Sequence, residues 1–116
     1  MDDWSEEPRL TLKDFGYGLV PAHRHPYGGG WVADTATVHD TAYVGRKALV
    51  SGDARVLAYA RICERARIRD DAVVSDYAKV CGNARVEDDA FVGGTAHLSG
   101  NAKLSGRDSV TEGYVR

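Results

Sequence analysis

The feature that most constrains this chain is a six-residue periodicity that runs without an insertion from residue 32 to residue 110. Alanine stands at every sixth position from 36 to 102, and an aliphatic residue follows two positions after each alanine. The same spacing adds one aliphatic residue before this series and one after it. The full series is Val32, Val38, Val44, Val50, Val56, Ile62, Ile68, Val74, Val80, Val86, Val92, Leu98, Leu104 and Val110. A helix cannot keep a six-residue stripe on one face over this length. The alternation of inward Ala, outward residue and inward aliphatic indicates a short strand in each unit.

Turn-forming residues separate these strands. Pairs such as Asp-Thr, Gly-Asp and Gly-Asn follow each strand, and these residue types tolerate corner geometry. A unit this short cannot bury its own apolar side, so successive units must coil and stack. The thirteen Gly, two Phe and one Met among 116 residues also predict a thin interior built from small side chains.

The repeat resembles that of the hexapeptide-repeat proteins, whose pattern is [LIV]-[GAED]-x-x-[STAV]-x. The resemblance implies an all-β fold, a single-stranded left-handed parallel β-helix with three hexads per triangular turn. Fourteen units then make between four and five turns, with residues eighteen apart on neighbouring rungs. We expect residues 1–31 to form an irregular N-terminal cap, 32–110 the β-helix and 111–116 a C-terminal tail. The bulky residues assigned to the cap are Trp4, Leu10, Leu12, Phe15, Tyr17, Leu19, Pro21 and Pro26.

Threefold winding sorts the outward residues into three walls, named here by their inward aliphatics. The first wall is built on Val32, Val50, Ile68, Val86 and Leu104, the second on Val38, Val56, Val74 and Val92, and the third on the remaining series from Val44 to Leu98. On the second wall, Leu57, Val73 and Phe91 form an outward apolar patch. Clustered exposed apolar residues favour a subunit interface, although scattered surface hydrophobes are the alternative. The resemblance favours a homotrimer.

The first and third walls carry basic residues on successive rungs. The first wall presents Arg67, Arg85 and Lys103 with Arg69 beside them, and the third presents Arg61, Lys79 and His97. Like charges on adjacent rungs repel, so these ladders need acidic corners, counter-ions or an anionic partner. We therefore expect either solvated faces or a binding surface for a phosphate-bearing small molecule or a protein partner.

Metal-binding and cysteine chemistry have weaker signals. Asp70, Asp71, Asp88 and Asp89 form a carboxylate column suited to a hard cation, but Asp is also a common corner residue. His23 and His25 are spaced to share one side of a strand, which alone is a weak metal motif. Cys63 and Cys81 lie eighteen apart on neighbouring rungs. We expect free thiols, because parallel side chains suit a disulfide poorly.

The resemblance raises the question of enzymatic activity, because the family includes acyltransferases and carbonic anhydrases. The three-histidine metal set of those anhydrases is absent, and no inserted loop supplies the histidine of those acyltransferases. We therefore expect no catalytic residue and no cofactor. A minimal transferase or metal-dependent enzyme with His97 as base is one alternative, and a purely structural spacer module is another.

The charge and hydropathy patterns restrict the classes of partner that the chain is expected to bind. A net charge of −2 with both signs mixed argues against nucleic acid, and no run is long or apolar enough to predict a membrane segment or a secretory signal. A cytoplasmic protein is expected. Short regular coils of this kind look similar to uncharacterised hexad-repeat proteins of bacteria and phages. If the chain is phage-encoded, we expect it in the host cytoplasm as an inhibitor or sponge of a host defence factor.

Overall fold

A computed structural model describes residues 11–16 and 18–116. This part of the chain contains seventeen strands and no helix, hence none that could cross a membrane. The strands are β1 (Leu12–Asp14), β2 (Leu19–Arg24), β3 (Trp31–Ala33), β4 (Thr37–Val38), β5 (Tyr43–Val44), β6 (Leu49–Val50), β7 (Arg55–Val56), β8 (Arg61–Ile62), β9 (Arg67–Ile68), β10 (Val73–Val74), β11 (Lys79–Val80), β12 (Arg85–Val86), β13 (Phe91–Val92), β14 (His97–Leu98), β15 (Lys103–Leu104), β16 (Ser109–Val110) and β17 (Tyr114–Val115).

The strands from β3 onwards form a β-solenoid, because each pairs in parallel with the strand three places along the chain. The first wall is the sheet β3-β6-β9-β12-β15, the second is β4-β7-β10-β13-β16, and the third is β5-β8-β11-β14-β17. Partner residues are eighteen apart, as in the pairing of Val74 with Val92. The predicted all-β coil is confirmed. It reaches about five turns because β17 continues it past Val110, with His97 opposite Tyr114, one residue short of the regular spacing.

The interior consists of the predicted alanine and aliphatic columns. The twelve alanines from Ala36 to Ala102 and the aliphatics from Val44 to Leu98 form one buried cluster, and most of these side chains have no exposed area. Val38 is partly buried and packs against this cluster. Backbone bonds between coils accompany this packing, for example from Arg67 N–H to the Ala84 carbonyl at 3.0 Å. Because the interior is the same under all three walls, differences among them arise from outward residues.

Carboxylates reinforce the corners between coils. Glu64, Asp70, Asp76 and Asp88 all have positive φ, a backbone conformation that L residues seldom adopt. Each carboxylate accepts the backbone N–H of the residue eighteen positions on, such as Asp88 from Gly106 at 2.9 Å. These bonds between successive corners are a structural role that the sequence reading of the aspartate column did not identify.

The N-terminal segment pairs with the first coil. Strands β1 and β2 form an antiparallel hairpin, and β2 pairs antiparallel with β3, so the first wall gains two strands. The backbone of residues 27–30 bonds to the edge of β5 through Val44. Phe15 is buried with Ala22 and Ala33 in a small cluster outside the main core. Trp4, Leu10 and Tyr17 of the expected cap lie outside the described residues.

The turn of this hairpin is organised by Asp14. Its carboxylate accepts the backbone N–H groups of Gly16 at 2.7 Å and Gly18 at 3.2 Å. These bonds favour the ionised form, so they hold the pKa of Asp14 below its ordinary value, with the Gly16 bond the largest cause.

Candidate functional site

The outward residues of the first wall form one continuous column. In register from the first rung to the last, the column is Trp31, Leu49, Arg67, Arg85 and Lys103. With rungs about 4.8 Å apart, it runs about 19 Å along the coil. The column is apolar at the end beside the hairpin and basic over the following three rungs.

A groove of about 940 Å³ follows this column. Eight of its twelve lining residues are Lys or Arg and none is acidic, although the whole chain has more acidic than basic residues. The lining consists of Lys13, Arg24, Trp31, Arg46, Lys47, Leu49, Arg65, Arg67, Asn83, Arg85, Asn101 and Lys103. The residues come from the wall, from the corner before it and from the hairpin.

Trp31 fixes the basic residues that the hairpin contributes. The Arg24 guanidinium lies 4.6 Å from the centre of the Trp31 ring, and the Lys13 ammonium lies 5.7 Å from it. Arg24 also donates from Nη1 to the Gly29 carbonyl at 3.0 Å. Cation–π contacts hold these side chains without an opposing charge, so Arg24 and Lys13 add to the cationic lining where the groove ends.

Few carboxylates offset the charge of the groove. Among the described residues, Lys103 is the one groove cation with a carboxylate within 4.0 Å, that of Glu87. The nearby Glu64 carboxylate is engaged by the Gly82 N–H at 2.8 Å. Arg67, Arg85 and Lys103 therefore form a ladder of like charges whose repulsion an anion in the groove would relieve.

The structure divides the predicted basic residues between two walls. Arg67, Arg85 and Lys103 line the groove. Arg69 lies beyond its strand, with Nε 3.7 Å from the Asp70 carboxylate. The other three lie on the third wall, where Lys79 pairs with both Arg61 and His97. These two sets do not form one site.

Sequence reasoning missed the groove residues that lie outside the repeating strands of the coil. Lys47 and Arg65 are corner residues eighteen apart, so the periodicity could have placed them beside the wall. The same reasoning could have placed Arg46, the neighbour of Lys47, beside the wall. Lys13 and Arg24 reach the groove through antiparallel pairing, which the hexad period does not describe.

The predicted apolar patch of the second wall is half-buried within the chain. Val73 and Phe91 are neighbours in register, and Leu57 lies in the other outward column. The Phe91 ring covers Gly93, where an added Cβ would lie 2.7 Å from ring carbons. The role of this patch as an interface stays a prediction.

Four of the six candidate metal residues have other partners. Asp70 and Asp88 bond to corner N–H groups, as described above, and no cluster of three metal-ligating side chains occurs in residues 11–16 and 18–116. His23 Nδ1 lies 2.7 Å from the Asp34 carboxylate. The buried His25 donates from Nε2 to the Ala42 carbonyl at 2.8 Å. Both histidines thus contribute to the packing of the N-terminal segment.

The expectation of free thiols is wrong. Cys63 and Cys81 form a disulfide, and the described chain has no free cysteine. They occupy equivalent positions after β8 and β11, where the parallel register brings their Cα atoms to 4.6 Å. This separation lies inside the range that disulfides span, so rung spacing outweighed the argument from parallel side chains.

Comparisons with known proteins agree with the fold. A family model described as the YdcK beta solenoid repeat matches residues 78–94. This match and the five-turn coil define the chain as a β-solenoid, and they confirm its resemblance to hexapeptide-repeat β-helices at the level of the repeat. Comparison with curated proteins and with solved structures gives no significant match.

Proposed function

We propose that this protein is a non-catalytic binding protein whose basic groove binds a small ligand that carries several phosphate groups. The observation that supports this most directly is the composition of the groove, with eight cationic side chains and no acidic one among its lining residues. A volume of about 940 Å³ falls in the range of small-molecule sites.

The chemistry of the lining supports phosphate in particular. Arg65, Arg67 and Arg85 present planar guanidinium groups that bond phosphate oxygens in pairs. Asn83 and Asn101 add neutral amide donors on the neighbouring corner. Among the roles expected from the sequence, binding of a phosphate-bearing small molecule is the one that this groove supports best.

Calorimetric titration with inorganic tripolyphosphate tests the proposal. We expect binding at 50 mM NaCl that weakens strongly at 500 mM, because screening reduces attraction between exposed charges. The double variant Arg67→Ala/Arg85→Ala should bind at least about tenfold more weakly, since a hydrogen bond to a charged group contributes about 1.5–3 kcal/mol.

A charge-matched control separates the groove from a general effect of net charge. Arg55 and Arg107 are exposed and do not line the groove. Arg55→Ala/Arg107→Ala removes the same two charges and should keep nearly full affinity. Equal loss in both double variants would contradict a site in the groove, as would tripolyphosphate binding that does not respond to salt.

We also propose that the protein assembles as a homotrimer through its second wall. The apolar neighbours Val73 and Phe91 support this. The outward column to which they belong has few charges, since Arg55 is its single cation. Such an arrangement leaves the groove of the first wall open in each subunit.

A further inference from the structure

Two exposed tyrosines form a stack at the corner between the second and third walls. The ring centres of Tyr59 and Tyr77 are 5.4 Å apart and their planes differ by 9°. Their exposed fractions are 55% and 65%, so the stack stands in solvent. Stacked rings so exposed gain little from burial, and they present apolar surface to a ligand.

The stack ends at Tyr77 because the next residue in its column is Thr95, which has no ring. Beyond Tyr77 lies a cavity of about 410 Å³ lined by residues that include Lys79, Thr95, His97, Gly113 and Tyr114. Gly113 leaves its position open, since nothing lies within 4 Å of an added Cβ. Small residues therefore border a ring on which a third planar group can stack.

Aromatic and cationic side chains flank this space on the third wall. The Tyr114 ring, 76% exposed, lies 5.2 Å from the His97 ring at an angle of 46°. Lys79 is exposed, and no carboxylate belongs to the lining. The nearby Asp76 carboxylate accepts the Gly94 N–H at 3.0 Å. The positive charge of Lys79 thus lies beside the stack, within reach of an anionic substituent on a planar group that stacks there.

We propose that this cavity binds a free mononucleotide, whose base stacks on Tyr77 as a third layer and whose phosphate lies near Lys79. Tyr114 and His97 form the opposite side of the site. The site is on a different wall from the basic groove, and neither proposal depends on the other.

Titrations with adenosine 5′-monophosphate, adenosine and ribose 5-phosphate separate the two halves of the ligand. We expect the mononucleotide to bind more tightly than either fragment, with amide shifts in NMR spectra centred on Tyr77, Thr95 and Tyr114. Equal affinity for ribose 5-phosphate would overturn the proposal, because the aromatic stack would then contribute nothing.

Variants assign the binding to these residues. Tyr77→Ala should weaken the mononucleotide at least about fivefold, since stacking of a base on an aromatic side chain contributes measurably to affinity. Tyr77→Phe should retain most of the affinity, and Lys79→Ala should lower it for the mononucleotide but not for adenosine. Tyr77 is exposed, so circular dichroism should show unchanged folding.

Two controls complete the experiment. Tyr27→Ala removes another exposed tyrosine, which contacts Tyr43 instead, and should have no effect. Arg67→Ala/Arg85→Ala should also leave the mononucleotide bound, whereas loss of binding in that variant alone would move the ligand to the groove. A single-stranded oligonucleotide that binds about a hundredfold more tightly, with Tyr77→Ala abolishing the gain, would replace the free mononucleotide as the ligand.

Discussion

The first and second walls share an interior but differ in their outer chemistry. Val86 and Val92 occupy equivalent buried positions under the two walls, and both are fully buried. The outward neighbours of Arg85 are Arg67 and Lys103, whereas those of Phe91 are Val73 and Ser109. In a coil of this kind the inward positions specify the fold, and the outward positions are free to acquire binding chemistry.

The hairpin increases this difference. It adds β1 and β2 to the first wall only, and it brings Lys13 and Arg24 to the groove around Trp31. The second wall ends at β4, a strand of two residues. A groove therefore forms on the first wall, where we propose that a ligand binds, whereas no hairpin extends the second wall, which we propose contacts a second copy of the chain.

The largest expected effect concerns assembly through the second wall. We expect sedimentation equilibrium to give the mass of a trimer, and Phe91→Glu to reduce it to a monomer, because burying an unpaired carboxylate at an interface is costly. Arg85→Glu places the same charge on the first wall and should leave the trimer intact. A wild-type chain that is monomeric over a hundredfold range of concentration would contradict the interface.

The sequence predicts the positions of those residues that follow the hexad repeat and its eighteen-residue register. Arg85 and its rung neighbours were placed correctly, because an eighteen-residue repeat determines the register of every strand residue. The same reasoning could not place Arg24, whose position follows from antiparallel pairing of β2 with β3. It also missed Tyr114, which joins the third wall one residue out of period.

The corner residues show a different limit. Asp88 was read from the sequence as a turn former or a cation ligand, but its carboxylate bonds to Gly106 on the next coil. The direction of a corner side chain depends on the local φ, which is positive at Asp88. Residue type alone does not determine that angle, so the sequence could place the corner and not the bond.

A smaller effect concerns the stability of the charge ladder. Arg85→Gln should raise the free energy of unfolding by about 0.5 kcal/mol at low salt, because it removes like-charge repulsion from Arg67 and Lys103. The gain should disappear in 0.5 M NaCl. Urea unfolding at both salt concentrations measures this change.

Arg55→Gln is the matched change on the second wall. Arg55 lies between Thr37 and Val73, so its removal relieves no repulsion along the column and should not stabilise the chain. Equal stabilisation by both substitutions would mean that the two walls do not differ in their local electrostatics. Destabilisation by Arg85→Gln would mean that the ladder contributes favourable packing that exceeds its repulsion.

The smallest effect concerns Asp14 in the hairpin, the element that distinguishes the first wall. Its pKa is lower in the folded chain than the ordinary 3.8, so its carboxylate contributes stability above that pH. The contribution is lost as the pH falls through the lower folded value. NMR should therefore show the amide signals of Gly16 and Gly18 shifting together below pH 3.8, with Asp14→Asn removing the transition.

Asp53→Asn is the control, because the Asp53 side chain makes no hydrogen bond to the described residues. A transition that persists in Asp14→Asn would show that another group controls the hairpin turn.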